Sequence, residues 1–283
     1  MTKKRLLLST VVSFFILSCV SWTMAFDEFP IWPELPPGEK EGSTPPHIEL
    51  WQPKDKTSDA CIIIAPGGAY MGVAYEQEGA GTAQYFYDKG ITIVMLWYRV
   101  PRREGWPKHL AAWQDAQRTV RFVRAHADEW GINPEKIGFL GFSAGGHLTL
   151  MTATTSQTPA YEPVDDLDKV PCHVNFAVPV YPAYVLRDGA DGENTEKGNN
   201  STLVDDFAFD AKTPPMCFIH GDADGYSAMG SATIYHKLRT MNIPAELHIY
   251  AKTPHAFGCK VSGDHIGDWM NRVYAWMGIM ELR

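Results

Sequence analysis

Apolar positions along this chain follow two periods. In residues 60–65 (Ala-Cys-Ile-Ile-Ile-Ala) and 91–98 almost every side chain is apolar. The first run is closed by Pro66-Gly67-Gly68 and the second is opened by Gly90. Such runs predict strands buried on both faces. Residues 137–140, 174–181 and 215–220 read the same way, 245–250 alternates as a strand, and 47–52 suits an edge strand. A helical period takes over between them. Ala112, Ala116, Val120 and Val123 predict an amphipathic helix over 110–130, ended by Gly131 and Pro134. Helices are also expected over 79–88, 148–155 and 227–240. A last helix carries the stripe Ile266, Trp269, Met270, Val273, Trp276 and Met277. Strands alternating with helices predict an α/β fold with a mostly parallel central sheet and helices on both faces. One domain over 48–283 is expected, with no internal repeat.

Composition narrows the partners more than the fold. The 283 residues are 45% hydrophobic and 20% charged, enough for one large globular core. The net charge of -8 comes without a basic tract, which argues against nucleic acid or an anionic membrane as partner.

Two segments break the rhythm. At the start, Lys3-Lys4-Arg5 precedes an apolar run over 6–20 and the small residues Thr23-Met24-Ala25. That order predicts a signal peptide over 1–25 and an exported protein, periplasmic or secreted, with no membrane span. Leu17-Ser18-Cys19 resembles a lipoprotein box, so a lipid anchor at Cys19 is the alternative. Residues 26–47 hold six prolines and are expected to form an extended surface arm. The second segment, residues 184–210, is a long polar stretch with several carboxylates. Its spacing does not match a calcium loop, and no metal is expected. Cys61, Cys172, Cys217 and Cys259 show no zinc spacing; export permits disulfides, but Cys61 and Cys217 lie in apolar runs as small buried hydrophobes, and a structural reading of all four is preferred.

The chemistry centres on Gly141-Phe142-Ser143-Ala144-Gly145, set between a strand and a helix. A serine on a sharp strand-to-helix turn is the context of a nucleophile elbow. Its hydroxyl needs a base, an orienting acid and donors for an oxyanion. His255 follows the final predicted strand and is the base candidate. Asp222 and Asp224 both follow the strand over 215–220. Asp224 stands further into its loop and is preferred as the acid, while Asp222 suits turn closure. The order Ser143, Asp224, His255 is that of hydrolases on parallel sheets. The Gly-rich turn after residue 65 lets backbone N–H groups approach an oxyanion, with the Ala144 N–H as a second source. His147 and Asp115 receive structural readings, Asp115 as a cap or a partner of Arg118 or Arg121.

These stretches together resemble the α/β-hydrolase superfamily, and within it an exported bacterial carbohydrate-esterase-like branch. The resemblance rests on Ala65-Pro66-Gly67-Gly68-Ala69-Tyr70, Trp97-Tyr98-Arg99, Asp115-Ala116-Gln117-Arg118, the elbow through His147, His220-Gly221-Asp222-Ala223-Asp224 and Pro254-His255-Ala256-Phe257-Gly258. It runs from about residue 48 to the C-terminus. It implies a Ser143-His255-Asp224 triad, oxyanion donors from Gly68, Ala69 and Ala144, and no cofactor. The implied substrate is a small acyl ester, acetyl foremost, on polysaccharide such as xylan or its oligosaccharides. Tyr70, Trp106 and Tyr184 are candidates for sugar stacking, as are Trp97 and Tyr98, with core packing the preferred fate of Trp97. Two departures stand out: Pro-Gly-Gly-Ala replaces the His-Gly-Gly-Gly of lipase-like esterases, and Gly225-Tyr226 stands where relatives commonly carry Val-Pro. Feruloyl or general carboxylesterase activity, a prolyl-oligopeptidase-like peptidase and a non-catalytic carbohydrate-interacting protein remain the alternatives.

Overall fold

A computed structural model describes residues 26–187, 202–259 and 265–283. The expected signal peptide and residues 188–201 of the 184–210 stretch lie outside the described residues. Eight strands form one sheet: β1 (Asp27–Pro30), β2 (His47–Trp51), β3 (Cys61–Ala65), β4 (Thr92–Trp97), β5 (Ile137–Phe142), β6 (Phe176–Val180), β7 (Met216–Gly221) and β8 (Ala245–Tyr250). Their order is β1-β2-β4-β3-β5-β6-β7-β8. The first two pairings, β1 with β2 and β2 with β4, are antiparallel, and all later ones are parallel.

The apolar runs explain why the sheet is covered twice. Along β3 the side chains alternate between two cores: Cys61, Ile63 and Ala65 face one, and Ile62 and Ile64 face the other. Helices α2 (Leu110–Ala125), α3 (Ala144–Thr154) and α4 (Met229–Thr240) fill the first core. Helices α1 (Ala80–Asp88) and α5 (Trp269–Ile279) fill the second. Each fully buried isoleucine contributes about 1.5–3 kcal/mol by leaving water, which is why a run of three needs cover on both sides.

Three local outcomes differ from the sequence expectations. The proline-rich segment is not simply a surface arm: its first residues form β1, in register with β2, and Ile31 and Trp32 enter the core. Pro30 is tolerated because β1 is an edge strand, where its missing N–H breaks no ladder. Helix α2 stops at Ala125, and residues 126–131 continue as looser turns to Gly131 at φ 60°. Asp115 does not pair with Arg118 or Arg121. Both its oxygens lie 3.0 Å from Arg99 Nε, and it also accepts the Trp32 indole N–H at 2.8 Å. Arg118 turns instead to Asp165 and Asp168. Among the described residues no helix is long and apolar enough to cross a membrane.

Candidate active site

Strand β5 delivers Ser143 to the C-terminal edge of the parallel sheet, where α3 begins at once. Ser143 sits at φ 52°, ψ -115°, a strained conformation for a residue with a side chain. Three backbone bonds hold it there. Its N–H donates to the Val180 carbonyl at 3.1 Å, and its own carbonyl accepts from His147 and Ala183 at 3.0 Å each. The helix can start this close to β3 only because residue 145 is glycine. A Cβ there would lie 2.0 Å from the Ala65 carbonyl oxygen.

The next two groups arrive from separate strand ends. His255, beyond β8, places Nε2 2.8 Å from Ser143 Oγ. Asp224, beyond β7, places Oδ2 2.7 Å from His255 Nδ1. A carboxylate only accepts, so Nδ1 carries the proton and Nε2 is left to accept from the serine. Asp224 is 1% exposed. Burial alone pushes its carboxyl pKa up, but hydrogen bonds and charge from His220 and His255 outweigh this and hold it below the usual value. The structure thus brings Ser143, His255 and Asp224 into one line, and it leaves Asp222 exposed outside that line. Turn closure, expected of Asp222, falls to the second oxygen of Asp224, which accepts the Tyr226 N–H at 2.7 Å.

His220 supports the acid from behind. Its Nε2 donates to the Tyr226 carbonyl at 2.9 Å and lies 3.4 Å from Asp224 Oδ2, while Nδ1 meets Ser231 Oγ at 2.8 Å. The rings of Tyr181 and Tyr226 flank His255 at 4.9 and 5.0 Å. Tyr226 is one of the departures noted in the sequence, and it is here a wall of the site.

The loop after β3 curls against the elbow. Gly68, Ala69 and Tyr70 all have positive φ, at 128°, 57° and 58°. A Cβ on Gly67 would come within 2.9 Å of Ser143 Cβ, so the loop and Ser143 are in direct contact. Among the described residues, no hydrogen bond engages the N–H groups of Gly68, Ala69 or Ala144. Ala144 opens α3, and its N–H has no intrahelical acceptor. Unspent donors beside a serine hydroxyl are what a developing oxyanion requires.

Sequence reasoning missed the group that anchors this loop. Glu78 lies in a single π-helical turn (Tyr75–Gly79) ahead of α1 and is 3% exposed. Its Oε2 accepts the Gly67 N–H at 2.5 Å, and its Oε1 accepts the Tyr181 hydroxyl at 2.9 Å. The Tyr181 oxygen in turn accepts the Gly258 N–H at 3.0 Å. One buried carboxylate therefore ties the glycine-rich loop after β3 to the loop that carries His255. Burial raises its pKa, opposed by the Gly67 N–H, the Tyr181 hydroxyl and the nearby His255. Glu76, two residues earlier, is exposed. No pattern in the sequence separates the two, because the π turn decides which one points inward.

A family model, BD-FAE, matches residues 48–206, more than half of the chain. The chain belongs to the BD-FAE family. That places it within the α/β-hydrolase superfamily, as the fold indicates. It is 26% identical over 72% of its length to an acetylxylan esterase of Xylanibacter ruminicola, of which it spans 42%. It is also 26% identical over 84% of its length to endo-1,4-beta-xylanase B of Butyrivibrio fibrisolvens, of which it spans 38%. It therefore spans well under half of these two curated relatives. Among solved structures, an acetyl ester-xyloside bifunctional hydrolase from Caldicellulosiruptor lactoaceticus matches with TM-score 0.76 at 25% identity, covering 90% of this chain and 97% of the other.

Not every binding residue expected of this BD-FAE protein is placed to bind. Tyr70 is 1% exposed, and its hydroxyl meets His147 Nδ1 at 2.9 Å, so it belongs to the core and presents no face to a sugar. Tyr184 stacks on Tyr70, is 7% exposed and carries the Lys108 ammonium 4.0 Å from its ring centre. Trp106 is half-buried and leans on Gly38. Trp97 is held by a hydrogen bond to Glu49 and stacks on His47 and Tyr75. Tyr70 and Tyr184 share one physical reason, since protein partners bury each ring; Trp97 packs as preferred, and Trp106 still lines an open groove with Met71 and Arg102. The four cysteines among the described residues are free thiols, and burial pushes Cys61 up to about 12.

Proposed function

We propose that this BD-FAE protein is an exported serine esterase that removes small acyl groups, acetyl foremost, from plant polysaccharide such as xylan or from its oligosaccharides. The observation that carries this reading is the line from Ser143 through His255 to Asp224, at 2.8 and 2.7 Å, beside unspent backbone donors. The names of the relatives support the ester and the xylan, and the predicted signal peptide supports a substrate outside the cytoplasm.

In the mechanism, Ser143 Oγ attacks the ester carbonyl while its proton passes to His255 Nε2. The imidazolium that forms faces the Asp224 carboxylate, which also keeps the ring in the right tautomer. The carbonyl oxygen becomes an oxyanion and takes the N–H groups of Gly68, Ala69 and Ala144. Collapse expels the sugar hydroxyl, protonated by His255, and leaves an acyl-serine. Water enters, gives a proton to His255 and attacks the acyl carbon; the second collapse returns Ser143 and releases the carboxylic acid.

The test is a rate comparison on acetylated xylan, feruloylated arabinoxylan and short p-nitrophenyl esters. The reading expects the acetyl substrates to lead and Ser143→Ala to lose about a thousandfold or more in kcat. A Ser143→Ala variant with wild-type rates ends the serine mechanism. A lead for feruloyl esters keeps the mechanism and moves the substrate.

A further inference from the structure

His109, His147 and Asp206 converge behind the elbow, outside the line that carries the proposed chemistry. His109 immediately precedes α2, His147 lies one turn into α3, and Asp206 comes from the segment that returns before β7. The two imidazoles are 8% and 0% exposed. Asp206 Oδ2 lies 3.5 Å from His147 Nε2 and 3.6 Å from His109 Nδ1, and the three ligand atoms all fall within 4.8 Å of one another.

These separations are informative. At 3.5–3.6 Å a nitrogen and an oxygen are too far apart for a good hydrogen bond. His147 Nε2 is accordingly a buried polar atom without a hydrogen-bond partner, aimed into the cluster. An unpartnered buried polar atom is costly, and in native structures it calls for an explanation. Yet two ligands of one tetrahedral ion, each about 2.0–2.2 Å from it, stand about 3.3–3.5 Å apart. The nitrogen-oxygen edges already fit that figure.

We propose that His109 Nδ1, His147 Nε2 and Asp206 bind one divalent transition-metal ion, zinc foremost. Two imidazoles and one carboxylate are a donor set for zinc, and imidazole disfavours the hard cations magnesium and calcium. The orienting partner of a metal-bound histidine is also present. With Nε2 on the ion, His147 Nδ1 carries the proton and donates to the Tyr70 oxygen at 2.9 Å. The Lys108 ammonium, which packs over Tyr184, is the nearby charge that opposes the ion, and Asp206 is the charge that attracts it. The ion clasps three chain segments together. Through Tyr70 it reaches the residue next to Ala69 in the oxyanion loop. A second grouping, Cys217 with Glu246 and His248, lacks this logic, because His248 Nε2 already bonds Glu246 at 2.6 Å.

The test uses the whole protein, stripped with a chelator, dialysed and titrated with zinc chloride or cobalt chloride. The expected result is about one zinc per chain retained through gel filtration, a raised melting temperature, and the intense visible bands of tetrahedral cobalt. His109→Ala and Asp206→Asn each weaken zinc binding about tenfold or more, while Ser143→Ala and His248→Ala bind as wild type. Circular dichroism of the metal-free variants shows that they are folded. Zinc that fails to stay on the wild-type chain overturns the proposal, as does zinc held equally well by folded His109→Ala and Asp206→Asn. Metal content is read without substrate, so the outcome stands apart from that of the esterase reading.

Discussion

Asp224 and Glu78 are both buried carboxylates beside the Ser143 elbow, and their surroundings drive them in opposite directions. Asp224 stands between two imidazoles, whose hydrogen bonds and charge outweigh the cost of burial and keep it ionised. Glu78 stands between a backbone N–H and a phenol, which are dipoles without net charge, and there burial prevails. The first acid faces His255, the proposed base. The second faces the loop whose backbone donors are proposed to hold the oxyanion. Equal burial thus yields two different tools, and the neighbours decide which.

The strongest way to break this contrast is at the acid. Asp224→Asn presents an amide to His255 Nδ1 and favours the wrong tautomer, so kcat is expected to fall about ten-thousandfold with KM little changed. Steady-state rates on p-nitrophenyl acetate measure this, and a loss under tenfold would mean that Asp224 does not orient His255.

On the other side, Glu78→Gln keeps size but puts an amide N–H₂ against the Gly67 N–H or the Tyr181 hydroxyl. Loosening an oxyanion loop costs less than deleting a donor, so a kcat loss of about ten- to a hundredfold is expected. If KM rises and kcat holds, Glu78 shapes binding and not the oxyanion loop. Tyr181→Phe removes the oxygen that joins Glu78 to Gly258. Chemical denaturation should show about 1–3 kcal/mol of lost stability, since a buried N–H and a buried carboxylate each lose a partner. An unchanged midpoint would separate the two loops.

The smallest effect is the dependence on pH, and it has opposite signs. Glu78 has a folded pKa above its usual 4.5, so its stabilising contribution is complete below that value and is lost as pH rises through the raised pKa. Asp224 has a folded pKa below its usual 3.8, so its contribution is present above that value and is lost as pH falls. Melting temperatures from about pH 3 to about pH 8 should therefore show wild type losing ground to Glu78→Gln as pH rises, and losing ground to Asp224→Asn as pH falls. Parallel curves for all three proteins would erase the contrast.

Much of this was legible beforehand, for physical reasons tied to local pattern. A run such as Ile62-Ile63-Ile64 can be satisfied only between two layers, so the parallel sheet followed from periodicity. Ser143 was legible because the strained turn needs small neighbours, and Gly141 and Gly145 mark it. His255 and Asp224 were legible as polar residues just past predicted strands. Glu78 was not, because burial of one glutamate in Tyr75-Glu76-Gln77-Glu78 depends on a π turn. Tyr70 was misread because an aromatic beside a Gly-rich loop looks the same whether it faces solvent or His147.

By itself, then, the order of residues determined the alternation of strands and helices, the layered architecture and the candidates for nucleophile, base and acid. Hydrophobic period and backbone strain act within a few residues, so they are written locally. Only the tertiary structure decided which partner each polar group meets: Asp115 with Arg99, Glu78 with Gly67 and Tyr181, and His147 with Tyr70 and Asp206. Those meetings join residues far apart in the chain, and burial and charge take their values only once the sheet has brought them together.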